Sequence, residues 1–355
     1  MGERLDLLER VAPRLLWLRR GPLYDADDRA GSATLSPSRI PGASFTHTTT
    51  PKLAHDLEQF EYLASRGWKT TWLRTVVVPA YEEVLRRAEI ALEARSQPGI
   101  TAGLYALSPL DVALVGSTYN RALFYEPGDH WLPGERLAEA LSQRVPWDRV
   151  DGEFQRGQGR GVVYVDDVLA NDALDAILDY CRSATLFFET KTHGAGGHLG
   201  AYVVDGFSAP LLFQVAEDLK AALPRTLGSL PLRNMWAYKY SYSHSGIMVH
   251  KDQAAVNVNL WVSPDAANLE PDRGGLKIFD DDGALEMERA ITPPELQGDS
   301  GRAILGRLPN VTIPFKQNRI TVFDSALPHL SDVGRWAEGY ENRRISITFL
   351  FGDPS

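Results

Sequence analysis

His250-Lys251-Asp252 sets two metal-binding side chains two residues apart, and His329 follows in the run Phe323-Asp-Ser-Ala-Leu-Pro-His329. Beyond it, Arg344-Ile-Ser346 stands in the strand-like run RRISITFLF. Two histidines and one carboxylate can occupy one face of an octahedral iron(II) and leave three positions open for substrates. A downstream arginine on a strand can hold a carboxylate-bearing co-substrate in a bidentate fork. Of the eight histidines, only His250 is followed two residues later by an acid, which marks it out from the rest.

These side chains need strands to aim them. From about residue 230 the apolar pattern has period two. The pieces MWAYKYSYS, GIMVHKD, AAVNVNLWV, GGLKIFD, VTIPF, NRITVFD and RRISITFLFG are mostly separated by turn residues. Many short strands of this kind suggest a sandwich or a jelly-roll barrel. On a strand, residues i and i+2 face one side, so His250 and Asp252 point together. The same alternation puts Asn257, Asn259 and Trp261 on one face, and Tyr240 an even interval ahead of His250. Of Arg343 and Arg344 only one can point inward, and pairing with Ser346 at i+2 favours Arg344.

Composition sets outer limits. The chain has 355 residues, 44% hydrophobic and 23% charged, enough for two domains with a sizeable core. A formal net charge of −9 argues against non-specific nucleic-acid binding, which needs a positive field. The single cysteine, Cys181, excludes an intrachain disulfide and a thiolate zinc cluster. It falls in a helical run and reads as a buried structural thiol. The first 21 residues carry acids throughout and lack a long apolar segment, unlike a signal peptide. No run approaches the length needed to span a bilayer, so the expected location is cytoplasmic.

The first 150 residues read as a mainly helical region, with residues 151–355 as the second domain. Residues 3–19 have helical spacing, and 20–50 read as a loop or linker. Thr50-Pro51 opens a helix with Leu53, Leu57, Phe60 and Leu63 on one stripe. His55 and Asp56 in that helix read as packing or surface residues rather than ligands. Residues 79–96 form another helix, and 97–133 carry no assignable pattern. RGQGRG (156–161) precedes a strand and so does not read as a dinucleotide loop. GVVYVDDVL leads into a helix capped near Asn171. HGAGGHLGAY (193–202), with His193 and His198, reads as a glycine-rich loop able to act as a lid. Residues 208–228 contain an amphipathic helix.

From about residue 160 to 352 the chain resembles the iron(II)- and 2-oxoglutarate-dependent oxygenases, on the prolyl-hydroxylase-like side of that superfamily. The resemblance lies in an ordered series: VVYVDDVLANDALDAILDYC, Tyr240, His250-Lys-Asp252, Asn257-Val-Asn259-Leu-Trp261, Gly274-Gly275-Leu-Lys-Ile-Phe279, Asn318-Arg-Ile-Thr-Val-Phe323-Asp-Ser325, His329, and Arg344-Ile-Ser346-Ile-Thr348. It implies an α+β protein with a double-stranded β-helix core and flanking helices. Iron would be held by His250, Asp252 and His329. The far carboxylate of 2-oxoglutarate would pair with Arg344 and Ser346, and Tyr240, Asn259 and Trp261 would line its pocket. O2 is the third reactant, and hydroxylation with release of succinate and CO2 is the implied outcome. Related halogenases lack the carboxylate ligand, so Asp252 favours hydroxylation or a related oxidation. The segment SDVGRWAEGYEN departs from the pattern, because it lengthens the interval between His329 and Arg344.

The expected substrate is a small molecule or an amino-acid derivative. A protein substrate, bound by the helical first region, is the alternative; a dimer surface is another use open to that region. A cupin-like metal enzyme without 2-oxoglutarate, or a non-catalytic scaffold, would require Arg344-x-Ser346 or the triad to be idle.

Overall fold

Alternating side chains on the late strands have a direct structural outcome. In the computed structural model seven strands form one antiparallel sheet, in the order β3-β11-β8-β14-β6-β5-β4. They are β3 (Val162–Val165), β4 (Glu189–Thr190), β5 (His198–Tyr202), β6 (Leu232–Tyr240), β8 (Val256–Trp261), β11 (Arg319–Asp324) and β14 (Ile345–Phe351). The structure describes residues 47–93, 104–124, 139–155, 161–190, 197–244, 249–279 and 310–354, with 137, 246, 247 and 308. The expected helix at 3–19, most of the 20–50 linker, the RGQGRG run up to Arg160, His130 and His193 lie outside them.

One face of this sheet is apolar. Val258, Leu260, Ile320, Val322, Ile347, Phe349, Met235 and Ala237 share a buried cluster with Ile177, Leu212, Val215 and Leu219. Those partners come from the helices α5 (Asn171–Ser183) and α6 (Pro210–Ala222). The opposite face carries the polar residues of the same strands. A smaller sheet, β10-β9-β12, stands against it. Its strands are β9 (Leu276–Phe279), β10 (Asn310–Ile313) and β12 (His329–Ser331). Leu276, Ile278 and Ile313 pack with Trp261 and Phe323 of the large sheet, together with Phe315, Leu327 and Trp336. Gly275 leads into β9, and a Cβ there would lie 1.9 Å from the Ile313 carbonyl oxygen. Only glycine lets the two backbones approach that closely.

The described residues before 125 are mainly helical around their own apolar cluster of Leu53, Phe60, Leu63, Leu73, Tyr81 and Val84. Helix α1 (Thr50–Ser65) begins as its sequence requires, with proline in the first turn, but its cap is Thr49 rather than Thr50. The Thr49 side chain accepts from the Lys52 amide at 3.3 Å. Helix α2 (Val78–Glu93) is preceded by a π-helical turn, Leu73–Val77, just before Pro79, where the regular ladder loses a donor. In the unassigned stretch, β2 (Tyr105–Ala106) pairs with β1 (His47–Thr48). Helix α3 (Pro109–Val115) follows, with a capping box between Ser108 and Asp111. Helix α4 is Trp147–Gln155. The last short pair joins β7 (Ser243–His244) to β13 (Gly334–Arg335). Among the described residues no helix is long and apolar enough to cross a membrane.

Two sequence expectations need correction. HGAGGHLGAY is not a loop throughout: from His198 it is β5, hydrogen-bonded to β6. GIMVHKD is not a regular strand, because His250 makes only an isolated antiparallel bridge, to His329. The SDVGRWAEGYEN segment, which lengthens the interval from His329 to Arg344, is built into the fold. It contains the end of β12, the strand β13 and a 3-10 turn at Tyr340–Asn342. Its Trp336 is buried in the packing between the sheets.

Candidate metal centre

His250, Asp252 and His329 converge, each offering one ligand atom within 4.8 Å of the others. Among the described residues no other histidine, cysteine and carboxylate group does so. Backbone brings them together. The His250 amide donates to the His329 carbonyl at 2.9 Å, and the His329 amide donates back to His250 at 2.9 Å. Their rings lie 4.3 Å apart between centroids. An Asp252 carboxylate oxygen sits 3.4 Å from His329 Nε2, and the other sits 3.9 Å from His250 Nε2.

The surroundings hold His329 and Asp252 more closely than His250. His329 is 4% exposed and its ring meets the Phe323 ring edge to face at 4.7 Å. Its Nδ1 lies 3.1 Å from the Leu327 carbonyl, so Nδ1–H donates there and Nε2 is the ring nitrogen turned toward Asp252. Asn257 Nδ2 donates to Asp252 at 2.5 Å. Burial alone would raise the Asp252 pKa. The hydrogen bond with His329, the charges of both histidines and the Asn257 amide outweigh burial and hold it below the usual carboxylate value. His250 is the accessible member, its side chain 38% exposed.

The rest of the polar face runs away from this triad. Asn257 lies opposite Leu350 and Trp261 opposite Ser346, so the two levels are separated by roughly 13 Å of strand. Between them Asn259 Nδ2 donates to Thr348 Oγ1 at 3.0 Å. Arg344 is 1% exposed, and its guanidinium lies 4.2 Å from the centroid of the Tyr240 ring. Its Nε and Nη1 meet no hydrogen-bond partner among the described residues. Arg343 turns the other way, 2.9 Å from Glu58. The alternation therefore selects Arg344 as the inward arginine. Ser346 is buried beside it, and Tyr240 Oη is 3.3 Å from Ser331 Oγ. The Trp261 ring is fully buried and lies 5.5 Å from Phe315, within the packing between the sheets.

Unpartnered buried polar atoms gather on this face. Asn257 Oδ1, Asn259 Oδ1, Trp261 Nε1, Thr321 Oγ1 and the two Arg344 nitrogens are all among them. Buried polar groups are ordinarily paired, so this concentration leaves unmet hydrogen-bonding capacity on one face. Sequence reasoning missed three contributors. Ser331, and Ser263 whose Oγ donates to the Arg343 carbonyl, carry no local signal, and Asn257 read only as one of three residues on a strand face rather than as the tether of Asp252. His198 belongs to the same face, its ring stacked on Tyr240 at 5.4 Å. Cys181 is fully buried, and burial pushes its thiol up to about 12, so it is no nucleophile.

No family model matches this chain, and no curated protein does. Solved structures do. The non-heme alpha-ketoglutarate-dependent epimerase SnoN from nogalamycin biosynthesis is similar at 15% identity and a TM-score of 0.41, covering 58% of this chain and 83% of its own. HygX from Streptomyces hygroscopicus, with nickel and 2-oxoglutarate bound, is 13% identical at a TM-score of 0.43, covering 57% and 87%. A prolyl-4-hydroxylase from Pseudomonas putida is 14% identical at a TM-score of 0.37, covering 62% and 100%. At such identities and TM-scores the functional reading rests on the site's own geometry.

Proposed function

We propose that this protein is an iron(II)- and 2-oxoglutarate-dependent dioxygenase. It hydroxylates an unactivated C–H bond of a small molecule or amino-acid-derived substrate and releases succinate and CO2. The observation that carries this reading is the buried Arg344 guanidinium, with two unpartnered nitrogens on the same polar face as the triad. A buried guanidinium without an anion is costly by several kcal/mol, and a carboxylate is the group its fork fits. Two imidazoles and one carboxylate, with no thiolate, are the donor set that suits iron(II) and leaves open positions. The residues present therefore fit both groups.

When bound, iron(II) and 2-oxoglutarate together supply the reduction of O2 that puts one oxygen atom into the substrate and the other into succinate. The chain's own residues bind and orient. His250, Asp252 and His329 would be the metal ligands. Leu327 fixes the His329 tautomer through its carbonyl, and Asn257 fixes the Asp252 carboxylate. Arg344 and Ser346 would take the far carboxylate of 2-oxoglutarate, with Tyr240 holding the guanidinium from one side. Asn259 would face the middle of that pocket. Trp261 forms its floor and, with Phe323 and Phe315, excludes water from it.

In this reading the two sheets are the walls of a double-stranded β-helix, residues 151–355 are the oxygenase domain, and residues 1–150 are a mainly helical region joined to it. Anaerobic titration with iron(II) and then 2-oxoglutarate tests the proposal. The expected result is a weak visible charge-transfer band in the wild type, lost in Asp252→Ala and weakened in Arg344→Ala. Metal binding with no response to 2-oxoglutarate would favour a cupin-like enzyme instead.

A further inference from the structure

Arg343 is 5% exposed, and it reaches out of the sheet toward the first helical unit. Its Nε donates to Glu58 of α1 at 2.9 Å. Tyr242 Oη donates to the same carboxylate at 2.5 Å, and the Arg343 guanidinium lies 4.6 Å from the centre of the Tyr242 ring. Arg343 Nη1 also donates to the Tyr240 carbonyl at 3.3 Å. One carboxylate from α1 thus binds two residues, Tyr242 just after β6 and Arg343 just before β14, and Arg343 in turn reaches Tyr240.

The same stretch of backbone holds Arg344. The Tyr240 amide donates to the Arg344 carbonyl at 3.0 Å. Ser263 Oγ donates to the Arg343 carbonyl at 2.8 Å and accepts from the Ile345 amide at 2.7 Å, so it brackets Arg344 on both sides. The Tyr240 ring, in turn, lies against the Arg344 guanidinium. Arg343 thus holds the backbone of the residue whose ring supports Arg344.

We infer that Glu58 is a positioning residue for the carboxylate pocket of Arg344, so that the helical first part of the chain sets the affinity for the co-substrate. This rests on the 2-oxoglutarate reading of Arg344. Glu58 touches neither metal nor co-substrate; it neutralises Arg343 and holds it on the outer face. Glu58→Gln keeps the shape and removes the charge, leaving a buried guanidinium free to pull on Tyr240.

The test is isothermal titration of 2-oxoglutarate into manganese(II)-loaded protein, for wild type, Glu58→Gln and Gln59→Ala. Gln59 is next in α1 and donates to the Arg182 and Ala184 carbonyls, so its loss loosens the same helix without touching Arg343. The expected result is about tenfold weaker 2-oxoglutarate binding in Glu58→Gln, unchanged manganese binding, and a raised KM for 2-oxoglutarate with kcat within twofold. Gln59→Ala should melt earlier and bind 2-oxoglutarate as wild type does. Wild-type affinity in Glu58→Gln, or an equal loss in Gln59→Ala, would overturn the inference alone. A wild type that binds manganese but no 2-oxoglutarate would overturn the functional reading and this inference with it.

Discussion

Arg343 and Arg344 are neighbours in the chain and face opposite sides of the sheet, one 2.9 Å from Glu58 and the other 4.2 Å from the centre of the Tyr240 ring. Arg344→Lys keeps a positive charge but loses the planar fork. Affinity for 2-oxoglutarate should fall at least tenfold, and Arg344→Ala should cost about 2–5 kcal/mol of binding. Titration of each variant with 2-oxoglutarate reads this directly. Full affinity in Arg344→Ala would remove the arginine from the site.

Asn257 holds the Asp252 carboxylate with its amide. Truncating Asn257 to Ala frees that carboxylate to rotate, and metal affinity should drop by about 10–100-fold, the usual effect of losing a group behind a ligand. Manganese(II) titration of the variant checks it. An unchanged dissociation constant would mean that backbone alone orients Asp252.

Gly275 lies where the Ile313 carbonyl passes 1.9 Å from the site of a Cβ. Backbone, not a flexible side chain, is the obstacle, so Gly275→Ala must push β9 from β10. The expected cost is about 1–3 kcal/mol, or several degrees in melting temperature. A melting curve superimposable on the wild type would show that the two strands can part freely.

His55 gives the fold an acid limit. Burial, then the charges of Lys239, Arg343 and Lys52, hold its pKa well below the ordinary histidine value. Below about pH 6.5 the unfolded chain takes a proton that the folded one refuses. Its contribution is therefore intact above that pH and is lost as pH falls, at up to about 1.4 kcal/mol per pH unit. Burial raises the pKa of the adjacent Asp56, which works in the opposite sense. Comparison with His55→Asn isolates the histidine, since the amide can keep the bond to Asp56. Urea unfolding between pH 7.5 and 5.5 should show a flatter dependence in the variant; parallel slopes would rule the histidine out.

The clustering of the candidate ligands was legible because residue types and order carry it. His250, Asp252 and His329 stand together as the spacing suggested, and period two on β14 separated Arg344 from Arg343. What held them was less legible. GIMVHKD has a strand's composition, yet its geometry is set by exchange with His329 across the fold, a contact no local pattern encodes. His55 and Asp56 of α1 read as packing or surface residues, a choice the sequence left open. Lys52, His55 and Asp56 are buried, because Asp56 serves as partner to both of the others and distant elements cover them. A helical period reports which residues are polar, and only the tertiary structure tells where they find partners.

The reciprocal backbone exchange between His250 and His329 also bears on when metal arrives. The two histidines meet only after the long intervening chain has closed, so an unfolded chain has no assembled site to offer. Metal would then be a late guest, taken up by a protein already built, rather than a nucleus around which it forms. A chelator should accordingly return an intact protein, less stable by about 2.7 kcal/mol relative to a hundredfold excess of metal over its dissociation constant.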